Sequence, residues 1–332
     1  MYKLLPAALL ALTMTTESAN PAHPIAIVIH GGAGRMDKAK LTPARQKEYH
    51  AMLEASLRAG HAILKKGGSS LDAVQAAIMV MEDSPLFNAG KGSVFTSAGR
   101  NELDASLMDG RTLAAGAVGG VTIVKNPILA ARAVMDHTPH VLLTNEGAEA
   151  FAKNRGLKLV KPEYFHTDQR WRQLQEWKKK QAKSKHTFLD EKHADYFGTV
   201  GCVALDAKGN IAAGSSTGGL TGKQFGRIGD SPIIGAGTYA NNKTCGISCT
   251  GHGEFFIRYA VAHDISAHME YKESTLAQAA RDVVQVKLKK AKGSGGVIGL
   301  DAKGNIVMEF NTPAMNRGSI DINGKLTTGI FR

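Results

Sequence analysis

The sequence predicts an α+β protein whose antiparallel sheets are covered by layers of helix. Three observations carry this. Leu205-Asp-Ala-Lys-Gly-Asn-Ile211 recurs as Leu300-Asp-Ala-Lys-Gly-Asn-Ile306, and each copy joins two apolar runs, the pattern of a β-hairpin. Helical periodicity fills residues 43 to 66 and resumes at Ser69. Two more helical patterns, Phe255 to Met269 and Leu276 to Val286, lie between the hairpins. Helices early, strands late and helices between hairpins suit sheets with helical cover.

The elements follow in order. Lys3, an apolar run to about Met14 and then small polar residues make residues 1–22 read as a secretory signal, too short for a permanent membrane span. This predicts export, to a periplasm, with a cytoplasmic location if the segment is not a signal. Ile25 to Ile29 is a buried strand entering the glycine turn His30-Gly-Gly-Ala-Gly34. Pro43 opens the first helix. Ser69-Ser-Leu-Asp72 opens the second, which carries Val74, Ala77, Ile78 and Met81 on one face and ends by Pro85. A loop, Ser84 to Gly92, leads to strands near Leu103 to Met108 and Ala114 to Val124. Helices then start at Pro127 and Asn145.

Residues 156–198 break the pattern and read as a basic, mobile linker, part of which docks as a helix through Trp171 and Trp177. Thr199 to Leu205 is a small, apolar strand, Asp206 to Asn210 a turn and Ile211 to Thr217 the return strand. The 332 residues allow one large domain or two, and 43% hydrophobic with 21% charged residues is ordinary for a globular chain. A single structural domain is expected.

The net charge of +12 raises a nucleic-acid reading. Half of it sits between Lys153 and Gly198, where 12 Lys or Arg face 6 Asp or Glu. Charge gathered in a linker points to a solvated segment, not to a binding face. Neither nucleic acid nor membrane is expected as a partner. The three cysteines are Cys202, Cys245 and Cys249. Cys245 and Cys249 share a strand face but lie too far apart to bond, and no Cys/His cluster suggests zinc.

The abrupt start of a buried strand at Thr199, after a polar linker, draws attention to Gly198-Thr199. A hydroxyl is a weak nucleophile and needs a base. No G-x-S-x-G elbow is present. A threonine at a chain N-terminus carries its own base, because an α-amine titrates near 7.7 to 8.0. Cleavage before Thr199 would create one, and glycine leaves the scissile carbonyl uncovered.

Gly198-Thr-Val-Gly201, Ser216-Thr-Gly-Gly219, Gly226-Arg-Ile-Gly-Asp230 and Thr250-Gly-His-Gly-Glu254 resemble the motifs of the plant-type L-asparaginase and isoaspartyl peptidase family of N-terminal nucleophile hydrolases. His30-Gly-Gly-Ala-Gly34, Phe87-Asn-Ala-Gly90, Glu102-Leu-Asp-Ala105 and Met108-Asp-Gly110 are similar to that family's other motifs, so the resemblance covers about residues 25 to 332 except the linker. It implies a four-layer αββα sandwich of two stacked, mostly antiparallel sheets flanked by helices.

The resemblance also implies cleavage between Gly198 and Thr199 into an α-subunit, residues 23–198, and a β-subunit, 199–332. It implies hydrolysis of L-asparagine and β-aspartyl dipeptides through a β-aspartyl ester on Thr199. Thr217 would tune the nucleophile. Arg227 and Asp230 would read the free carboxylate and ammonium of the substrate, and Thr250 and Gly251 would form the oxyanion hole. His252 and Gly253 would line the substrate end, with Asn88 in support. A structural sodium ion is implied on the carbonyls of Met81, Glu82, Ser84, Phe87, Ala89 and Lys91, with no organic cofactor. A dimer of αβ units is implied as well. The alternatives are a glycosylasparaginase with the same threonine chemistry, an uncleaved inactive member and, from another class, a basic nucleic-acid-binding protein.

Overall fold

The strand β1 (Ala26–Gly34) sets the plan of the molecule by alternation. Ile27 and Ile29 point to one side, into a cluster with Leu53, Leu57, Val74 and Ile78 of two helices, α1 (Pro43–Lys65) and α2 (Ser70–Glu82). Ala26 and Val28 point to the other side, into a cluster with Ile298 and Leu300 of a second sheet. One strand buried on both faces therefore requires a layer above and a layer below. This computed structural model describes residues 23–34, 38–39, 41–183 and 198–332. The leader, 1–22, and residues 184–197 of the linker lie outside the described residues.

The remaining elements run in order. They are β2 (Leu103–Asp109), β3 (Ala115–Val121), α3 (Pro127–His137), β4 (Leu142–Thr144), α4 (Asn145–Asn154) and α5 (Asp168–Lys183). There follow β5 (Thr199–Leu205), β6 (Ile211–Thr217), β7 (Thr238–Ala240), β8 (Cys245–Gly251), α6 (Gly253–Arg258), α7 (Val261–Lys272) and α8 (Leu276–Arg281). The chain closes with β9 (Gly295–Asp301), β10 (Ile306–Phe310), β11 (Ala314–Ile320) and β12 (Leu326–Phe331).

The large sheet has the order β12-β11-β1-β5-β6-β2-β3-β4 and the small one β10-β9-β8-β7. Every pairing is antiparallel except β3 with β4. The outer face of the small sheet, with Ile247, Cys249 and Val297, is covered by Phe256, Ile265, Ala280 and Val284. The layers are thus helix, sheet, sheet, helix, the expected αββα sandwich. Cys245 and Cys249 do share the outward face of β8, and all three cysteines are free and buried. Among the described residues no helix is long and apolar enough to cross a membrane.

The repeated heptapeptide forms the same turn twice, once in each sheet. Asp206 Oδ1 accepts from the amides of Lys208 and Asn210, and Asp301 Oδ1 accepts from those of Lys303 and Asn305, all at 2.9–3.0 Å. Gly209 and Gly304 take φ of 79° and 82°, which a side chain disfavours. Asp321 builds a third such turn, with Asn323 and Lys325, that the sequence repeat does not reveal.

Two sequence expectations need correction. Phe255 to Met269 is not one helix: Ala260 has φ 47°, so α6 stops and α7 starts anew at Val261. The linker is not loose from residue 156. Pro162–Phe165 is a short 3-10 turn and α5 continues to Lys183, with Phe165 and Leu174 fully buried. Both tryptophans dock α5 as well: Trp171 meets Phe95 edge-on at 5.2 Å, and Trp177 lies against Gly222.

Candidate active site

Thr199 begins β5 and stands directly across from Thr217 at the end of β6. Alternation along β5 turns Thr199, Gly201 and Val203 toward the small sheet, where β8 supplies Ser248 and Thr250. The two sheets therefore bring residues far apart in sequence to one buried spot. Thr199 Oγ1 donates to Thr217 Oγ1 at 3.2 Å, and Thr217 Oγ1 donates to Gly198 O at 3.3 Å. The Gly219 amide donates to Thr217 Oγ1 at 3.0 Å and fixes it. One proton per hydroxyl permits this order. It places the Thr217 hydroxyl between the hydroxyl of Thr199 and the carbonyl of Gly198.

Thr250 Oγ1 accepts from the Ala33 amide at 3.1 Å, so its own O–H is left to donate. Ala33 belongs to the His30-Gly-Gly-Ala-Gly34 turn. That turn also reaches Gly198, since a Cβ on Gly32 would lie 2.6 Å from Gly198 Cα. Gly251 ends β8 opposite Gly295. Asn88 packs under Gly198. Its Nδ2 donates to Gly219 O at 2.7 Å and its Oδ1 accepts from the Val94 amide at 2.9 Å, which ties the loop before β2 to the end of β6.

Asp230 is buried, and its Oδ2 has no hydrogen-bond partner among the described residues. Burial pushes its carboxyl up to about 7, against the pull of Arg227 beside it. An orphaned acidic oxygen of this kind suits an incoming ammonium. A Cβ at Gly253 would lie 2.7 Å from Asp230 Oδ1 and 2.8 Å from Arg227 Nη2, so the segment after β8 forms the wall behind both. Arg227 does not bond Asp230. Its Nε and Nη2 donate to Glu254 Oε1 and Oε2 at 2.9 and 3.1 Å. His252 Nε2 lies 3.2 Å from Glu254 Oε2. Burial raises the Glu254 carboxyl, but the hydrogen bonds and charge of Arg227 outweigh this and hold it below the usual carboxylate range.

Asp104 pairs with Thr217 in the strand register, and its Oδ2 lies 3.8 Å from the buried ammonium of Lys223. Lys223 Nζ also donates to Glu102 O at 3.0 Å. The Glu102-Leu-Asp-Ala105 motif thus anchors the loop that leads to Arg227.

The loop after α2 folds tightly over itself. A Cβ at Gly90 would collide with the Glu82 carbonyl, and one at Gly92 with that of Phe87. The carbonyls of Met81 and Ala89 accept from the amides of Ser84 and Gly92 at 3.2 and 3.1 Å, which leaves each a second lone pair. Oxygens crowded this way suit a hard cation. The Glu82 carboxylate, fully buried, accepts from Ser216 Oγ at 2.7 Å and from the Ile128 amide at 3.1 Å.

Sequence reasoning missed a buried polar chain. His30 Nδ1–H donates to Thr199 O at 2.8 Å, because a carbonyl can only accept. Its Nε2 then accepts from Ser248 Oγ at 3.0 Å. From Ser248 the chain passes to Ser215 at 2.7 Å, Thr238 at 2.7 Å and Ser106 at 2.8 Å, and ends on Ser231 O at 2.6 Å. Ser231 Oγ returns to Thr199 Oγ1 at 3.4 Å. Burial pushes His30 down to about 3, so its ring is neutral. Gly201 makes room for this path, since a Cβ there would strike both Ser248 Oγ and His30 Nε2. The sequence signal was slight: small polar residues at alternate positions of strands otherwise apolar.

A family model described as Asparaginase matches residues 23–330. The chain is 48% identical over 311 residues to an isoaspartyl peptidase of Escherichia coli (strain K12), covering 92% of this chain and 96% of that protein. It is 47% identical over 328 residues to a putative isoaspartyl peptidase/L-asparaginase of Dictyostelium discoideum, covering 89% and 93%. It is 40% identical over 308 residues to an isoaspartyl peptidase/L-asparaginase of Homo sapiens, covering 93% and 96%.

Proposed function

The chain belongs to the asparaginase family, matched from residue 23 to residue 330, and on that premise we propose that it is an isoaspartyl peptidase and L-asparaginase. It is a hydrolase, as the names of its relatives state. Its substrates are β-aspartyl dipeptides and L-asparagine, split by water to aspartate and an amino acid or ammonia. The observation that carries this reading is the Thr199/Thr217 hydroxyl pair beside the Gly198 carbonyl. Thr199 Oγ1 lies 3.2 Å from Thr217 Oγ1, which lies 3.3 Å from Gly198 O.

Self-cleavage prepares the enzyme. Thr199 Oγ attacks the Gly198 carbonyl carbon, the peptide C–N bond breaks and the hydroxyl proton passes to the nitrogen. That step frees the Thr199 α-amine, and water then hydrolyses the resulting ester, releasing the Gly198 carboxylate and restoring the Thr199 hydroxyl. In turnover that amine takes the Thr199 hydroxyl proton, and Oγ attacks the side-chain carbonyl of the substrate. The leaving amine departs with a proton, and water releases aspartate from the β-aspartyl ester. Thr250 O–H and the Gly251 amide face the oxyanion. Arg227 and Asp230 hold the α-carboxylate and α-ammonium, with His252 and Gly253 at the substrate end.

We also read the carbonyls of Met81, Glu82, Ser84, Phe87, Ala89 and Lys91 as the seat of a structural sodium ion. Its charge would hold the loop that carries Asn88. Residues 1–22 are read as an export signal, and two αβ units as the assembled enzyme. Intact mass of the purified protein tests the scheme: two chains that part between Gly198 and Thr199 are expected. A single chain with full activity on β-aspartyl dipeptides would overturn it.

Asp230 gives a pH signature. Only its ionised form pairs with an ammonium, and burial holds it protonated up to about 7 in the free enzyme. Below that pH, protonation of Asp230 by itself should lower kcat/KM for L-asparagine about tenfold per pH unit. The Thr199 amine titrates in a nearby range, so the ratio of kcat/KM for L-asparagine to that for succinamate, which lacks the α-amine, isolates Asp230. The ratio should rise with pH and level off above about 7. A flat ratio removes Asp230 from ammonium binding.

A further inference from the structure

On the reading above, the substrate's α-carboxylate needs the guanidinium of Arg227, yet the structure shows that guanidinium already engaged. Glu254 takes its Nε–H and one Nη2–H, side-on, at 2.9 and 3.1 Å. A guanidinium has five N–H donors in a rigid fork, so three remain, two on Nη1 and one on Nη2. Nη1 lies beside Gly219 and Gly229: a Cβ on Gly229 would come within 2.6 Å of it and one on Gly219 within 3.5 Å. Gly219 is the residue whose amide fixes Thr217 Oγ1. The end of the fork left open by Glu254 therefore faces the nucleophile side of the site.

Within its own loop the Arg227 backbone amide donates to Gln224 O at 2.9 Å, which leaves the guanidinium to be held from outside the loop. Arg227 follows Phe225 and Gly226, both at positive φ of 54° and 66°, and among the described residues both hydrogen bonds that hold its guanidinium go to Glu254. Glu254 itself sits in the first turn of α6, half-exposed, directly after the wall formed by Gly253. His252 braces its Oε2 at 3.2 Å. The motif Thr250-Gly-His-Gly-Glu254 thus joins the oxyanion donors to the carboxylate grip within five residues.

We propose that Glu254 is a positioning residue that clamps the side edge of Arg227, so that the Nη1/Nη2 end is presented to the substrate α-carboxylate. It is a specificity element for substrates with a free α-carboxylate and takes no part in the acyl transfer. Substrate binds end-on while Glu254 stays in place. It does not have to displace Glu254.

The test compares L-asparagine with 3-aminopropanamide, which keeps the amide and the amine but lacks the α-carboxylate, in the fully processed wild type, E254A and E254Q. Releasing a rotamer-rich side chain costs about 0.5–1.5 kcal/mol, so E254A should raise KM for L-asparagine up to about tenfold with kcat within about twofold. Glu254→Gln, which keeps one acceptor oxygen, should fall between. On 3-aminopropanamide kcat/KM should match wild type in both variants. Equal losses on both substrates would mean a general structural role and overturn the proposal. A lower KM for L-asparagine would mean that Glu254 competes for the fork, and would also overturn it. If wild type turns over neither substrate, the assigned activity fails instead, whatever Glu254 does.

Discussion

Thr199→Ala leaves one uncut chain and no hydrolysis. The nucleophile of both the cleavage and the turnover is a single oxygen, so removing it should lower kcat by on the order of 10⁶-fold, the scale seen when a covalent catalyst loses its nucleophile. Intact mass should give the sum of both subunits and no break at Gly198. The fold should persist, because Thr199 is held by its pairing with Thr217 of β6, at the start of a strand inside the large sheet. Its carbonyl still accepts from His30 in the variant. A normal melting profile with no turnover is the expected pair of results. Thr199→Ser keeps the hydroxyl and should still be cut. An alanine variant that processes itself would remove Thr199 from the chemistry outright.

Thr250→Val should cost about 100- to 1,000-fold in kcat, the usual loss of one oxyanion donor. Valine fills the same volume, so packing between the sheets is kept. KM should move far less, since the ground-state carbonyl asks little of that donor. A second effect comes with it. The Thr250 hydroxyl accepts from the Ala33 amide at 3.1 Å, and valine leaves that buried N–H unpaired. The expected penalty is about 1–3 kcal/mol of stability, read as a lower Tm by roughly 1–2 °C per kcal/mol for a chain of this size. A kcat loss below tenfold would take Thr250 out of the oxyanion role, even if stability fell.

Much of the fold was legible because its central strands are short continuous apolar runs and its turns repeat. β1, β5 and β6 are buried on both faces and read as small apolar runs, β1 ended by a glycine turn and β5 joined to β6 by the Asp206 turn. The break in the helix at Ala260 was not legible, since alanine favours helix and only tertiary packing sets its φ of 47°. The helix α5 was half-visible: its two tryptophans marked a docking face, while its lysines suggested open solvent.

At the site, Thr199, Thr217, Arg227, Asp230 and Thr250 stood in motifs. Their meeting depends on strand register and sheet stacking, which a linear pattern cannot supply. Glu254 lay inside a quoted motif, yet only the geometry shows that it, and not Asp230, bonds Arg227. Ser106, Ser215, Ser248 and Thr238 were invisible as a group because they come from four strands of two sheets.

That group has a consequence in proton number. From Thr199 O through His30 to Ser231 O there are six hydrogen-bond contacts in a row. Both ends are carbonyls, which supply no hydrogen. A neutral imidazole brings one N–H and each of the four hydroxyls brings one O–H, so five protons serve six contacts. The 3.4 Å approach of Ser215 Oγ to Gly237 O adds an acceptor and no proton. An imidazolium would fill the gap, but burial keeps His30 neutral down to about pH 3. At every ordinary pH the row is therefore one hydrogen short. The gap falls at a hydroxyl–hydroxyl contact and moves whenever a hydroxyl turns over. The space between the sheets thus carries a proton vacancy within a row of hydrogen bonds whose far end rests on the backbone of Thr199.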